Sequence, residues 1–447
     1  LLTAAADEGV RISHVTETHI HADYVSGARD LARRTGARLL LSAEGGTDWQ
    51  YRFAERDGAT LLHHGDRIAV GNVWLDVLHT PGHTPEHLTF LVTDSPADSG
   101  PMGLVTGDFL FVGDVGRPDL LETAAHVAGS MEPSARALFH SLAQLRDLPD
   151  HLLIWPGHGA GSACGKALGA VPMSTLGYER RANWALRMTD EAAFVAAVLE
   201  GQPEPPAYFA RMKQVNREGP APLDAMPQPA RRAAHEVVSL VDARGLLVDL
   251  RAASEFAAAH IPGSISLPYG PSFTTWAGSL LSFDQPFAFV AGGADADSIV
   301  TSALRDLVLI GFDRTHGWFG DDAFDAWRAA GRSTVATLQR SPRDVAAELM
   351  EHAATVIDVR GLTEWQTGHL AAARHIPLGA LPNAIATLPR DRPVIVHCQS
   401  GARSAIAASI LERAGFPTVE NLVGGITAWR RDGLPVTGAT PRVPASV

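Results

Sequence analysis

Residues 246–265, LLVDLRAASEFAAAHIPGSI, return in altered form at 355–377 as TVIDVRGLTEWQTGHLAAARHIP. Each copy places Arg at +2, Glu at +6 and His at +11 from an aspartate: Asp249, Arg251, Glu255, His260 against Asp358, Arg360, Glu364, His369. The correspondence continues in QPFAFVAGGAD (285–295) with RPVIVHCQSGA (392–402), and in DAWRAAG (325–331) with TAWRRDG (427–433). Each copy spans roughly 100 residues and alternates apolar strand with amphipathic helix, which predicts two small α/β domains.

Upstream of the repeat the pattern changes. Apolar strands end one after another in loops that carry His or Asp beside Gly or Pro: ISHVTETH, VWLDVLHTPGH, LVTGDFLF and HLLIWPGHG. Polar ligands offered at strand ends are the expected layout of an α/β metal enzyme. YERRANWALRM and EAAFVAAVL read as helices, and GPAPLDAMPQPARR has four prolines and no period, so it reads as a linker. The expected domains are 1–228, 229–335 and 336–447. LLTAAADEGV, the opening stretch, reads as the end of a helix feeding a strand, so the chain is expected to lack an N-terminal part of its first domain.

Composition removes several classes of function. A net charge of −12 disfavours nucleic acid or an anionic membrane as the main partner. Two cysteines, Cys164 and Cys398, make no disulfide framework and fit a reducing, cytoplasmic setting. Apolar runs stop well short of the ~20 residues a bilayer crossing needs.

HCQSGARS follows the buried-strand pattern PVIV and precedes the helical run AIAASILERAG. Strand, short loop and helix together point backbone N–H groups and a helix N-terminus at one spot, and Cys398 sits there as a nucleophile or sulfur carrier. Gln399, Ser400, Gly401 and Ala402 separate it from Arg403, with Ser404 next; cysteine phosphatases have five intervening residues where this chain has four. The shorter loop suits a persulfide sulfur better than a tetrahedral phosphate. With the D-V-R…E-W…G-H pattern and NLVGGITAW (421–429), this region resembles the rhodanese sulfurtransferases. That resemblance implies Cys398 as persulfide carrier and Arg403 as its anion partner. In the first copy Ala291 stands at the cysteine position and Ala296 at the arginine, so that copy resembles a degenerate rhodanese module with a structural or docking role.

The N-terminal candidates are His19, His21 and Asp23 in THIHADYVSG, His83 in HTPGH, Asp108, and His158 in WPGHG. As a set they resemble the metallo-β-lactamase fold. A two-metal hydrolase of that fold wants an imidazole where this chain has Tyr24, and a neutral phenol is a poor substitute. Two histidines and one carboxylate instead describe the facial triad of non-haem Fe(II) oxygenases. THIHADYVSG, HHGDRI, HTPGHTPEH and TGDFLFVGDVGRPDL resemble the persulfide dioxygenase branch of the superfamily. This implies His19, His83 and Asp108 as iron ligands, with His21, Asp23, Tyr24 and His158 around them, and Arg117 as the contact for a substrate carboxylate. Ala160 departs from the branch, which has tyrosine there. Cys164 is then either a pocket cysteine touching the persulfide or a packed turn residue.

The order of modules resembles persulfide dioxygenase–sulfurtransferase fusions. The expected fold is α/β multidomain: an N-terminally truncated αββα metallo-β-lactamase fold followed by two rhodanese-like α/β domains. The resemblance implies one Fe(II) per chain, with Zn(II) as a substitute in purified protein. It also implies O₂-dependent oxidation of a low-molecular-weight thiol persulfide to sulfite and thiol, coupled to sulfur transfer to or from sulfite and thiosulfate. A homo-oligomer is compatible with this reading. The alternatives are a glyoxalase-type thioester hydrolase with an accessory rhodanese, and a non-catalytic sulfur-relay scaffold.

Overall fold

A computed structural model describes residues 1–124, 127–166, 168–350 and 354–438. It separates into two compact units, Leu1–Ala225 and Met226–Val447.

In the first unit β1 (His14–Thr16), β2 (Arg38–Ser42) and β3 (Thr60–Leu62) form a parallel sheet in the order β1-β2-β3. A second sheet has the order β4-β5-β6-β7-β8-β9, with β4 (Arg67–Val70), β5 (Val73–His79), β6 (Leu88–Asp94), β7 (Gly103–Gly107), β8 (Leu153–Pro156) and β9 (Ser174–Thr175). Alternation along the strands assigns side chains to layers. Leu40 and Leu62 of the first sheet meet Ile68, Val77, Leu88 and Phe90 of the second. Leu39 and Leu41 point the other way, into a cluster with Ala28 at the start of helix Ala28–Thr35. Leu104 and Ile154 pack against Leu138 and Leu142 of helix Met131–Ala143 and Phe194 and Val198 of helix Glu191–Leu199. The result is four layers, helix–sheet–sheet–helix.

YERRANWALRM is shorter as a helix than its periodicity suggests. Thr175 caps the helix at Tyr178, and the helix stops at Ala182. There the buried Asn183 turns its side chain inward to donate to the Asp114 carbonyl and to Glu179. The first half of the proline-rich segment, up to Ala225, lies on this unit without regular structure: Arg34 donates to the Leu223 carbonyl and Arg33 pairs with Asp224.

The second unit contains the repeat as two parallel sheets. The first has the order β11-β10-β12-β13, from β10 (Leu246–Asp249), β11 (Ile265–Ser266), β12 (Phe287–Val290) and β13 (Thr315–Phe319). The second, β14-β18-β17-β15-β16, uses β14 (Leu338–Arg340), β15 (Thr355–Asp358), β16 (Ala373–His375), β17 (Val394–His397) and β18 (Val419–Leu422). Setting β14 aside, the two orders are the same, so the sequence repeat is a repeat of topology. The central strands β10, β12, β15 and β17 are almost wholly buried, as parallel strands covered on both faces must be. Equivalent residues keep equivalent bonds. Arg251 folds back on Asp249 and donates to the Ala259 carbonyl, while Arg360 folds back on Asp358 and donates to the Gly368 carbonyl. Among the described residues no helix is long and apolar enough to cross a membrane.

Candidate metal centre and sulfur-transfer loop

Four loops of the first unit converge at strand ends. His19 follows β1, His83 follows β5, Asp108 follows β7 directly, and His158 follows β8. Glycine makes the crowding tolerable. A Cβ on Gly116 would lie 1.7 Å from the Asp108 carbonyl oxygen, and one on Gly157 would lie 2.6 Å from Asp108 Oδ1.

His19, His83 and Asp108 are all buried, and one donor atom from each lies within 4.8 Å of the others. His83 Nε2 is 3.6 Å from Asp108 Oδ2. His83 Nδ1 donates to the Arg117 carbonyl at 3.2 Å, which leaves the Nε2 lone pair facing the carboxylate. Burial holds His19 well below the ordinary histidine range and takes His83 down to about 4, although Asp108 opposes the shift. Burial alone would raise the Asp108 carboxyl, but His158 close by and the other nearby histidines hold it below the usual range. The set is therefore two neutral imidazoles and a carboxylate, the protonation states a metal ion requires. Asp108 Oδ2 is buried and accepts no hydrogen bond, an orphaned acceptor of the kind a cation satisfies. These residues fit a metal ion.

The surrounding residues take distinct places. His21 stacks on Tyr24 with ring centroids 4.5 Å apart, lies 4.2 Å from the His19 ring, and leaves Nδ1 without a hydrogen-bond partner. His158 Nε2 stands between two carboxylates, 3.4 Å from Asp108 and 3.3 Å from Asp23. Cys164 is buried beside them, and donor atoms of Asp23, His158 and Cys164 also lie within 4.8 Å of one another. Burial, with Asp108 and Asp23 close by, pushes its thiol well above the ordinary range. The structure thus brings Cys164 to the position where a third donor is missing at Tyr24. Tyr24 alone therefore does not make the site mononuclear, because that sulfur stands beside it as a further donor.

Arg117 differs from its expected place. Its guanidinium is buried, pairs with Asp119 at 3.0 and 2.6 Å, and donates to the Ala163 and Pro203 carbonyls. Contact with a substrate carboxylate would require breaking that pair. In this structure Arg117 fastens the Cys164 loop instead.

His87 is a further member of the site. Its ring is fully buried, Nε2 accepts from the Asp108 backbone N–H at 3.1 Å, and Nδ1 lies 2.9 Å from Thr80 Oγ1. It therefore positions the peptide that carries the central carboxylate. The signal was the last histidine of HTPGHTPEH, four residues after His83.

In the second unit Cys398 follows β17 and is buried at the start of helix Ala402–Arg413. Its Sγ accepts from the Gly401 N–H at 3.1 Å and lies 3.6 Å from Ser404 Oγ. Gly401 has φ +114°, a backbone open mainly to glycine. The closing GGIT segment supports the loop from below: Ile426 and Thr427 donate to the Cys398 and Gln399 carbonyls. A Cβ on Gly425 would lie 2.3 Å from the Cys398 oxygen. The Gln399 side chain turns away to Thr427 Oγ1, so the loop presents N–H groups and Ser404 to the sulfur. Arg403 is clasped by Glu364 through two bonds of 2.6 and 2.7 Å.

A four-layered α/β domain with a His/His/Asp cluster, joined to paired parallel-sheet domains with one cysteine loop, defines a metal-binding hydrolase-like fold fused to sulfurtransferase-type domains. Residues 1–158 match the metallo-beta-lactamase superfamily, and residues 233–330 and 341–432 match the rhodanese-like domain. The chain belongs to the metallo-beta-lactamase superfamily and carries two rhodanese-like domains. It is 40% identical to a sulfurtransferase from Allochromatium vinosum over 18% of its own length and 76% of that protein. It is 28% identical to a hydroxyacylglutathione hydrolase from Rhodopseudomonas palustris over 48% of its length and 84% of that protein. A beta-lactamase hydrolase-like protein from Xylella fastidiosa is 28% identical, and the chain spans 43% of its length. A crystal structure of a metallo-beta-lactamase from Staphylococcus aureus superposes with a TM-score of 0.62 at 40% identity, covering 71% of this chain and 88% of that one.

Proposed function

We propose that the chain oxidises a low-molecular-weight thiol persulfide at the His19–His83–Asp108 centre and transfers sulfane sulfur at Cys398. The observation that carries this reading is the orphaned Asp108 Oδ2 facing two neutral histidines in a chain that also holds a cradled cysteine sulfur. Fe(II) held by these three residues would supply dioxygen-dependent oxidation of the terminal sulfur: RSSH + O₂ + H₂O → RSH + SO₃²⁻ + 2H⁺. The protein's own part is positional. His87 and the Arg117 carbonyl fix the donors, and His158 bridges Asp108 and Asp23 beside the open side of the triad. At the second site a Cys398 persulfide gives its outer sulfur to sulfite, forming thiosulfate and leaving the Cys398 thiolate, and the reverse step reloads it. The Gly401 N–H and Ser404 hydroxyl steady anionic sulfur, and Arg403 supplies the charge that attracts an anionic donor or acceptor.

The test is anaerobic purification followed by metal analysis and oxygen uptake. One iron per chain, with uptake only when a thiol persulfide is added, is expected; metal-free protein, or no uptake by iron-loaded protein, would overturn the dioxygenase part. Cys398→Ser should abolish thiosulfate-dependent transfer while leaving persulfide-dependent uptake, and loss of both would contradict two separate sites.

A second reading has its own observation. The Asp23–His158–Cys164 cluster could complete a two-metal centre for thioester hydrolysis, the activity named for the Rhodopseudomonas relative. It predicts two zinc ions per chain and hydrolysis of a thiol ester without oxygen.

A further inference from the structure

Thirty-seven side chains of this chain are arginine or lysine, and two of them are lysine: Lys166 and Lys213. A chain that uses arginine almost throughout keeps the slender ammonium at these two places, and their surroundings differ. Lys166 directs its donors to the Ala197 and Glu200 carbonyls at the end of helix Glu191–Leu199 and lies over the Trp184 ring. Lys213 is 7% exposed and lies over the Trp49 ring, 4.7 Å from its centroid. Among the described residues it forms no hydrogen bond and no ion pair, a rare state for a buried lysine.

Helix Phe209–Glu218 carries Lys213, beyond the 1–158 segment that matches the metallo-beta-lactamase superfamily. Phe209, Met212, Lys213 and Asn216 are its buried residues, one stripe at helical spacing. One turn after Lys213, Asn216 Nδ2 donates to the His21 and Tyr24 carbonyls at 2.8 and 2.7 Å, and its Oδ1 accepts from the Ser26 N–H. The stripe is thereby fastened to the loop that carries His19. On its other flank the Arg52 N–H donates to the Arg217 carbonyl, which ties the helix to the segment of Trp49. Lys213 lies between these ties, and its charge adds to the lowering of His19 and His83. Burial takes its own pKa down to about 8, so it is an ammonium at neutral pH. Glu86 is the carboxylate that acts on it most, but the two are not joined. Glu86 Oε1 accepts from the Ile20 N–H at 2.8 Å, and its Oε2 has no hydrogen-bond partner. The N–H donors of a buried ammonium are thus left unmet beside the metal centre.

Taken alone, that charge opposes a metal ion at the triad; an anion lying between ion and ammonium removes the conflict. We infer that Lys213 is a substrate-contacting residue of the His19–His83–Asp108 centre, its ammonium holding the anionic sulfur of the persulfide and the oxygen atoms that this sulfur gains on the way to sulfite. This rests on the proposed persulfide oxidation and names the residue that holds its reacting end. Arg117 is closed by Asp119, whereas Lys213 is a cation of this pocket with donors to give.

Two lysines in the whole chain make the test direct. The zinc-loaded full chain labelled with ε-¹³C-lysine gives two side-chain resonances, and Lys166→Arg assigns them. Sulfite is the probe, titrated at constant ionic strength. The Lys213 resonance should move to saturation while that of Lys166 stays in place. Metal-free Asp108→Ala should need at least about tenfold more sulfite for the same movement, because the metal ion supplies most of the attraction. Wild type stripped with a chelator takes the place of that variant if it folds poorly. An unmoved Lys213 resonance, or one that moves equally with and without the metal, would overturn the proposal. Metal-dependent movement of Lys213, in a chain whose iron form takes up no oxygen with persulfide, would instead refute the dioxygenase reading and leave the anion contact standing.

Discussion

Glu364 clasps Arg403 with two short bonds, and it does so from the position that Glu255 fills in the other copy. There the loop arginine is replaced by Ala296, and the Glu255 carboxylate keeps the bond from the Ala252 N–H that Glu364 also accepts from Gly361. The carboxylate thus holds the Arg403 fork at the mouth of the Cys398 loop. Glu364→Gln keeps shape and loses the charge-assisted pair, which is partly solvent-exposed. It should lower kcat/KM for thiosulfate-to-cyanide transfer by about tenfold, the scale of one charge-assisted hydrogen bond. The unfolding midpoint should scarcely move. Unchanged steady-state kinetics would mean that Arg403 needs no tether.

The metal triad predicts a graded response from two residues. Asp108→Ala removes the orphaned donor and should leave the purified protein without stoichiometric iron; full iron content would refute the ligand assignment. His87 accepts from the peptide N–H that aims Asp108, meets the Thr80 hydroxyl and stacks on the His19 ring with centroids 5.1 Å apart, without being one of the three proposed ligands. His87→Ala should therefore retain the site with metal affinity lower by roughly 10–100-fold, as loss of supporting contacts does elsewhere. Competition with a chelator of known affinity measures both.

The parts of this molecule that follow local patterns were readable in the chain. The repeat gave the shared strand order because apolar strand, loop and helix recur at matching offsets, and the strand-end loops gave the His19, His83 and Asp108 cluster. Other features depend on long-range packing that a one-dimensional pattern does not carry. Arg117 looked available beside Asp108 until Asp119 and the Ala163 and Pro203 carbonyls consumed it. His87 lies in HTPGHTPEH, yet its role depends on the fold placing it, just ahead of β6, against Asp108. The degenerate module lacks the cysteine, and residues from a helix more than 100 residues downstream complete the lining of its cavity.

His397 predicts acid sensitivity in the catalytic rhodanese module. Its ring is wholly buried, Nε2 has no hydrogen-bond partner, and burial lowers its pKa below the ordinary 6.5 despite Asp358 nearby; Arg360 and His369 add to the lowering. The folded state keeps this ring neutral while the unfolded chain takes up a proton below about pH 6.5. The unfolded state then binds more protons, so this group's contribution to stability falls as the pH drops below that value. His397→Asn removes the titration. Urea midpoints of the rhodanese transition at pH 7.5 and 5.5 should fall less in the variant than in the wild type, and equal decreases would remove His397 as a cause.

Cys164 separates the two readings of the metal domain. Its sulfur shares a cluster with Asp23 and His158, while His19, His83 and Asp108 form a complete set without it. A serine hydroxyl is similar in size but a poor ligand for a divalent transition metal, since it lacks the soft, readily ionised sulfur. If the chain works with one iron, Cys164→Ser should keep one iron per chain and at least part of the persulfide-dependent oxygen uptake, because no ligand has been removed. If it works with two metals, the same change should reduce the metal content of zinc-loaded protein from two equivalents toward one and impair thioester hydrolysis. Metal analysis of wild type and variant, each loaded with iron or zinc, distinguishes these outcomes. Loss of the single iron in the serine variant would contradict the triad and make the sulfur itself a ligand.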